Sequence, residues 1–567
     1  MPEVLAPIGR RAHIAVMKRL PRNSRASCRG SRRSRGNCPM ATDFYHTYIA
    51  NAFAEENTFG ARFCQPWPWA HYNRQHPGPE CERMPEGNRP VRWPTFADAR
   101  PELPKPFWAG HDDVIACYWK VWELAFDRKL RKATPQNRFV SDFNATAFND
   151  ATFMWDSAFI ALFGLYGRRA WHFQGTLDNF YGKQHPDGFI CREIRETDGE
   201  DRFQRFDPSA TGPNVLPWAE WEYYRKTGDR SRLARVFPPL AAYTRWFRLN
   251  RTWPDGSYWG TGWSTGMDNQ PRIPEGRHEW YEHCHQTWVD TCLQAVLADR
   301  MLVAMAREIG READAAEFAA EAESLTAWIN ANLWDEATGF YHDLRRDGSR
   351  ITDVKTVGAY WALLAEVVPQ ERLPRLLSHL DNPASFCRTH RVPSLSADTP
   401  GYDPAGGYWR GAVWAPTNYM LLCGLHAVGR EELAHVIGRN HVENVAAAFV
   451  KTGTLWENYA PDHFGAGRST PDFVGWTGLP PVAVLLEDVI GLQPDAAAGR
   501  LVWNVRLTEE HGVENYPVGP DGTLNLRCAA RASAGDHPQI QFGGNANVEI
   551  EIRWPGGKET RRANTAV

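Results

Sequence analysis

Two carboxylates stand out by the company they keep. Asp268 lies in "GWSTGMDNQPR", residues 262–272, just after Trp259 and Trp263. Glu457 lies in "LWENYAPD", residues 455–462. Indole faces suit sugar rings, whose axial C–H groups pack on flat apolar surface while the hydroxyls reach polar neighbours. A carboxyl group pressed against indoles is shielded from water, and this lifts its pKa toward what a general acid needs near neutral pH. Cleaving a glycosidic bond typically takes two such groups. One donates a proton to the leaving oxygen. In an inverting reaction the other takes a proton from water on the opposite face, and the two stand roughly 6.5–9.5 Å apart. Neighbours in one loop would lie on the same side of the ring, so the pair must come from different loops. Asp268 and Glu457 are 189 positions apart (457 minus 268).

The elements that must bring them together are helical. Apolar residues recur at three- and four-residue steps, as at Phe318, Ala322, Leu325 and Ile329, which is the pattern of an amphipathic helix. The same period predicts twelve helices, near 112–132, 156–168, 170–184, 213–227, 230–251, 286–309, 313–333, 355–368, 371–380, 410–428, 430–450 and 474–491. Their links alternate. Short ones such as "TGD" at 227–229 and "IGR" at 309–311 force antiparallel neighbours. Long ones cover roughly 133–155, 185–212, 252–285, 334–354, 381–409 and 451–473. Six helical hairpins closed in a ring gather all the long loops at one mouth, so the expected fold is mainly α, an (α/α)6 toroid. An open solenoid is the alternative, but the hairpins share no repeat signature.

The long loops carry the polar and aromatic residues. The first has "FMWDS" from Phe153 and the second "QHPDG" from Gln184. The third holds Asp268, and the fourth has "FYHD" at 340–343. The fifth has "GGYWRGAVW" at 406–414 and the sixth holds Glu457. Taken singly, each has a plainer reading: Trp-Asp as a helix N-cap, Asn-Tyr-Ala-Pro as a turn. Their shared placement is what points to a site.

Outside this region the chain changes character. Residues 1–40 carry nine Arg and one Lys against Glu3 and read as a basic, disordered start. Residues 41–111 form an irregular Pro/Trp-rich wrapping segment, with ten prolines between Pro66 and Pro106. Residues 112–495 are the expected catalytic barrel. Residues 496–567 alternate apolar and polar in stretches such as "NVEIEIRW", predicting a small C-terminal β-sandwich.

Composition narrows the function. A net charge of -3, from 64 basic and 67 acidic residues in 567, gives no global field for nucleic acid. No run of about 18 apolar residues predicts a membrane span. The eleven cysteines are scattered with no C-x-x-C pair, as in reduced cytoplasmic proteins. His283-Cys284-His285 has metal-ligand types, but adjacent residues rarely converge on one ion and no second cluster has metal spacing. No metal or cofactor is expected. The 25 Trp, 18 Tyr and 27 Phe favour a small-molecule or oligosaccharide partner; the oligomeric state is not legible.

"GWSTGMDN", "YWRGAVWAPTNY" and "LWENYAPD" together resemble the signature stretches of the (α/α)6 glycoside hydrolases grouped around processing α-glucosidase I, glucosylglycerate and mannosylglycerate hydrolases, and trehalase, with glycoside hydrolase family 63 the best match. The resemblance covers roughly residues 140–495. It implies an inverting, α-glucosidase-like O-glycosyl hydrolase with Asp268 as general acid and Glu457 as general base. It implies that Trp155 and Asp156 hold sugar hydroxyls, that Tyr408 and Trp409 line the same pocket, and that Gly266 lets the backbone approach the ring. Phe153, Gln184, Trp263, Arg410, Trp414 and Tyr459 complete the candidate substrate-binding set. One departure concerns the sugar. Many relatives have Glu-Ser-Gly before the acid, where this chain has Ser264-Thr265-Gly266. Arg272 and Arg410 either meet an anionic leaving group or pair with loop acids. Two other readings stand beside hydrolysis: a sugar epimerase or polysaccharide lyase on the same barrel, for which His342, His441 and His463 offer bases, and a non-catalytic carbohydrate-binding protein.

Overall fold

The computed structural model describes residues 93–145 and 149–563. The basic segment 1–40 and most of the Pro/Trp-rich segment lie outside the described residues. The chain is mainly helical, with 40 % helix against 16 % strand.

Besides the one-turn helices Phe96–Ala99 and Gly262–Thr265, the helices in chain order are α1 Asp112–Arg128, α2 Met154–Gly164, α3 Gly175–Gly182, α4 Leu216–Thr227, α5 Arg230–Asn250, α6 Val289–Glu308, α7 Glu312–Asn332, α8 Trp361–Leu364, α9 Leu373–Ser378, α10 Ala415–Ala427 and α11 Glu431–Thr452. A π-helical segment, Leu479–Val489, follows. The α4–α5 link shows how the short connections arise. Gly228 ends α4 at φ +76, where its N–H reaches the Tyr224 carbonyl. Asp229 then caps α5, its carboxylate accepting from the N–H groups of Ser231 and Arg232. A left-handed glycine followed by an N-cap acid reverses the chain in three residues.

Two predicted helices differ in the structure. The one expected near 474–491 is a 3-10 turn followed by the π-helical segment, which opens on Pro480-Pro481. Prolines at its start supply no N–H, and its end is closed by wide bonds from Ile490 to Leu485 and from Gly491 to Leu486. The helix expected near 355–368 is a 3-10 turn, Val357–Tyr360, and the single turn α8, after which Glu366 takes φ +52.

Six elements pack in a cycle. α2 packs on α4, α4 on α6, α6 on α8, α8 on α10, α10 on the π-helical segment, and that segment on α2. The others lie against these: α3 on α2, α5 on α4 and α6, α7 on α6, and α11 on α10. α1 joins the two ends of the chain, touching α11 and the π-helical segment. Aromatic rings fill the space between the cyclic elements. Trp155 and Phe159 from α2 meet edge to face at 4.7 Å, Phe159 meets Trp218 of α4 at 6.0 Å, and Trp218 meets both Trp361 of α8 and Tyr419 of α10 at about 6 Å. Tyr419 hands on to the buried Glu487 carboxylate at 2.9 Å, which also pairs with Lys226. Contacts of this kind add to burial by about 1 kcal/mol each and make a floor beneath whatever the long loops enclose.

Eight of the described strands form two four-stranded sheets; the other six pair in three two-stranded ribbons, one of which sets Phe153 opposite Glu193. One runs Lys105–Trp108, His511–Val518, Gly522–Cys528, Ile540–Gly544, antiparallel throughout. The other runs Gly557–Ala563, Val548–Trp554, Arg500–Asn504, Leu492–Asp495, with a parallel pair in the middle. Val548, Ile550 and Ile552 point inward and Glu549 outward, the period-2 pattern legible in "NVEIEIRW". Lys105–Trp108 was expected as irregular wrapping. Its Pro106 suits an edge strand, which leaves one side of the backbone unpaired.

Candidate active site

The acid-bearing loop is built by local rules. The Thr261 hydroxyl accepts from the Ser264 N–H at 3.1 Å, and Ser264 Oγ accepts from the Thr261 N–H at 2.6 Å, a reciprocal cap on the one-turn helix Gly262–Thr265. Gly266 then turns the chain at φ +74. It stands so close to Trp155 that a β-carbon would lie 3.0 Å from the indole Nε1. Met267 is buried, and the turn delivers Asp268 to the cavity. The next residues lock it in place. Asn269 bonds to Gly407 and Trp409, and Gln270 Nε2 donates to the Ser394 carbonyl at 2.7 Å.

Glu457 is held from the other side. Its N–H donates to the Thr470 carbonyl at 3.0 Å, and its own carbonyl accepts from the Trp476 indole at 2.8 Å. Two residues on, Tyr459 and Val413 exchange backbone hydrogen bonds at 2.8 and 3.0 Å, pairing this loop with the one that carries Tyr408. The Tyr408 hydroxyl donates to Glu457 Oε1 at 3.4 Å.

Asp268 and Glu457 line one cavity of about 510 Å³. Aromatic walls come from Phe153, Trp155, Trp263, Trp280, Tyr408, Trp409 and Trp476. The charged lining is Asp156, Arg192, Glu193, Asp268, Glu457 and Arg468. Removal from water pushes the Asp268 carboxyl up to about 6, against the pull of the Arg192 guanidinium. The same cause, followed by the charge of Asp268, pushes Glu457 up to about 7. Burial and then the Glu457 charge hold Asp156 well above the usual carboxylate range. Three mutually repelling carboxyl groups in one low-dielectric space keep protons that free carboxylates would lose, which suits a site that moves protons at neutral pH.

Most of the sequence-predicted set converges here. Phe153, Trp155, Asp156, Trp263, Gly266, Asp268, Tyr408, Trp409 and Glu457 all line the cavity. Trp155 and Asp156 do so from the first turn of α2 rather than from a loop. Four others stand back from it. Gln184 braces its loop, donating to the carbonyls of Gly188 and Pro239 at 3.0 and 2.8 Å. Arg410 faces Glu279 at 3.8 Å. Trp414 is fully buried and stacks on Trp409 at 3.8 Å, with the two planes 1° apart. Tyr459 is buried, and its hydroxyl accepts from the Trp456 N–H. They support the walls rather than form them. Arg272 lies under Trp288, bonded by both arms to Asp290 and Asp343 at 2.7–2.8 Å. Asp343 and its fourth loop therefore serve the frame and give the cavity no lining residue.

The histidines that offered a lyase or epimerase base also lie elsewhere. His342 bonds to Thr338 and the Val354 carbonyl, and His441 pairs with His390 at 2.7 Å. His463 is exposed and is not among the lining residues. Among the described residues no group of three His, Cys, Asp or Glu side chains is placed to hold a metal, and the seven described cysteines are free.

The sequence did not mark Asn149, Arg192, Glu193, Gly212, Pro213, Asn269, Trp280, Trp476 or the segment Arg468–Thr470, all of which line the cavity. Arg192 and Glu193 sit in "CREIRE", without an adjoining Trp to draw notice. Arg192 pairs with Glu193 and lies 5.3 Å from the Trp263 ring centre. Ser264 and Thr265 do not reach the cavity, since their hydroxyls close the turn. Glu193 brings a carboxylate to the cavity from the short strand Glu193–Arg195.

The chain is similar to known glycoside hydrolases. A family model described as a mannosylglycerate hydrolase MGH1-like glycoside hydrolase domain matches residues 150–477. The mannosylglycerate hydrolase of Thermus thermophilus is 27 % identical over 352 residues, 50 % of this chain and 83 % of that one. A probable mannosyl-oligosaccharide glucosidase of Schizosaccharomyces pombe is 27 % identical over 280 residues, 44 % of this chain but 34 % of that longer one. The crystal structure of the GH63 mannosylglycerate hydrolase from Thermus thermophilus in complex with glucose shares the fold with a TM-score of 0.54 at 23 % identity, covering 65 % of this chain and 99 % of that one.

Proposed function

The chain belongs to the mannosylglycerate hydrolase MGH1-like glycoside hydrolases, of the family 63 type, and from that premise we propose that it hydrolyses an α-linked glucoside or mannoside with inversion. In this reading the cyclic helix order is an (α/α)6 toroid, its long loops enclosing the site, with the two sheets as a β-sandwich beside it. The observation that carries the proposal is that Asp268 and Glu457 line one indole-walled cavity, each with its carboxyl raised into the neutral range.

The reaction runs as follows. Asp268 gives its proton to the glycosidic oxygen as the C1–O bond breaks. A water on the opposite face forms the new bond to C1 and gives its proton to Glu457. One water is consumed, the sugar leaves with its anomeric configuration inverted, and solvent returns a proton to Asp268 and takes one from Glu457. Asp156 and the Trp155 indole N–H, which has no protein partner, are assigned to sugar hydroxyls. Arg192 is engaged by Glu193, so Arg468 at the cavity mouth is the guanidinium assigned to a carboxylate on the leaving group, such as glycerate.

The test is to incubate the protein with α-mannosylglycerate, α-glucosylglycerate and a panel of α-glucosides and α-mannosides, following the anomer first released by proton NMR. The β-anomer is expected first. D268N and E457Q are each expected to lose about 1000-fold in kcat. Retention of activity within tenfold by both variants overturns the assignment, and release of an unsaturated uronate or an epimer replaces it.

A further inference from the structure

Asn269 directly follows the proposed acid, yet its side chain is turned to another loop. Its Oδ1 accepts from the Trp409 N–H at 2.9 Å, and its Nδ2 donates to the Gly407 carbonyl at 3.1 Å. These two groups bracket a single residue, Tyr408. That residue has φ +64, a left-handed conformation that bulky side chains adopt rarely. Nothing regular supports it there. The surrounding loop contains Gly406, Gly407 and Gly411 and has no strand ladder of its own. The Tyr408 carbonyl itself accepts from the Trp414 indole at 3.3 Å and from the Ala412 N–H at 3.1 Å, and the Gly407 carbonyl accepts a longer bond from the Arg410 N–H at 3.3 Å. From this held backbone the Tyr408 hydroxyl reaches Glu457.

We propose that Asn269 is a positioning residue that pins the strained Tyr408 backbone to the acid-bearing loop, so that the Tyr408 hydroxyl stays between the two reacting carboxyl groups. The proposal rests on the roles assigned above to Asp268 and Glu457. A carboxamide is required because one group must accept from Trp409 and donate to Gly407 at once. Asp at 269 would set an oxygen against the Gly407 carbonyl and add a fifth acid to a lining that already has Asp156, Glu193, Asp268 and Glu457 against Arg192 and Arg468. The clip also gives the two loops a common register: the residue that fixes Tyr408 is covalently next to the acid, so the acid and the hydroxyl cannot drift apart independently. Tyr408 lowers the pKa of both carboxyls against their burial, which supplies a readout that loss of folding would not move.

The experiment is a double-mutant cycle on Asn269→Ala and Tyr408→Phe, with Asn269→Leu as a variant of like shape that lacks both bonds. Each single variant is expected to lose about 100-fold in kcat/KM toward α-mannosylglycerate, with KM changing less than kcat. The double variant is expected to fall within about threefold of the worse single, because both remove the same placement. Asn269→Ala is expected to move both limbs of the pH profile upward, as Tyr408→Phe does. Multiplied losses in the double variant, or an Asn269→Ala profile with unmoved limbs, overturn the proposal. Crystal structures of Asn269→Ala and Asn269→Leu form a separate arm. Tyr408 is expected to leave the left-handed region and its hydroxyl to leave Glu457; an unmoved Tyr408 refutes the role whatever the reaction. If the wild type cleaves no glycoside, the functional reading fails by itself and the crystallographic arm still decides Asn269.

Discussion

The indole nitrogen of Trp155 lies 3.0 Å from where a β-carbon on Gly266 would stand. Two constraints meet at that glycine. Its φ of +74 is strained for any L side chain, and a methyl group would push the indole that floors the cavity. Gly266→Ala is expected to cut kcat/KM by about 100-fold through displaced groups while lowering the melting temperature by only a few degrees. Steady-state kinetics beside calorimetry checks this. Wild-type kinetics in that variant would mean that the Trp155 contact has no part in the site.

Free-enzyme activity is expected to follow a narrow bell in pH. The base must be ionised, so kcat/KM rises through one apparent pKa; the acid must be protonated, so it falls through the other. With Asp268 raised to about 6 and Glu457 to about 7, the pair carries one proton between those values; that proton rests mainly on Glu457, the productive form with it on Asp268 is the minor tautomer, and the maximum still lies between the two values. An α-glycosyl fluoride needs no acid for its departing group. Asp268→Asn is therefore expected to keep measurable activity on the fluoride, without the alkaline limb. Its acidic limb should report Glu457 alone, below about 7 because the Asp268 charge that raises it is gone. A limb left at about 7 would separate the two carboxyls electrostatically.

How much of this was legible beforehand follows the range of the interactions. Gly228-Asp229 and "NVEIEIRW" encode their turn and strand within a few residues, and the structure places them as read. The joint appearance of Asp268, Tyr408 and Glu457 in one cavity was readable because each lies beside tryptophan in a long loop. Arg192 and Glu193 escaped because they carry no local mark; packing of Arg192 against Trp263 and Phe203, and pairing of Glu193 with Phe153 across a two-stranded ribbon, make them part of the wall. Trp414 and Tyr459 misled for the opposite reason. Their neighbours in sequence line the cavity, but Trp414 is buried behind Trp409, on which it stacks, and the Tyr459 ring is buried with its hydroxyl held by the Trp456 N–H. A sequence shows which residue types are near one another along the chain. It does not show which face of an irregular loop they occupy.

Arg272 illustrates the difference between a frame and a ligand. It is wholly buried with Asp290 and Asp343, its contacts being four charge-assisted hydrogen bonds and the Trp288 face. Removing one partner of such a cluster leaves two uncompensated buried carboxylates, at a cost of about 3–5 kcal/mol. Arg272→Met is expected to unfold at markedly lower temperature and to yield little soluble protein, whereas Arg468→Met is expected to keep the wild-type melting temperature and raise KM only for substrates with an anionic leaving group. Thermal melts and a comparison of glycosylglycerate with a neutral glycoside test both. A thermally normal Arg272→Met with a selectively raised KM would return that arginine to the substrate.

The raised carboxyls also predict how stability depends on pH. A group whose pKa is higher folded than unfolded binds its proton more tightly in the native state. Its contribution is fully present below the unfolded value and is lost as pH rises through the folded one. Asp268 rises from 3.8 to about 6 and Glu457 from 4.5 to about 7, so the loss falls between about pH 4 and pH 7. At 1.36 kcal/mol per unit, each ionised carboxyl then opposes folding by at most about 3 kcal/mol. Asp268→Asn and Glu457→Gln remove that charge. Both are expected to melt above the wild type at pH 8 and with little difference at pH 4, while losing activity. Calorimetric scans of the three proteins across that range check it. Equal gains at both pH values would trace the effect to packing rather than to the stored charge.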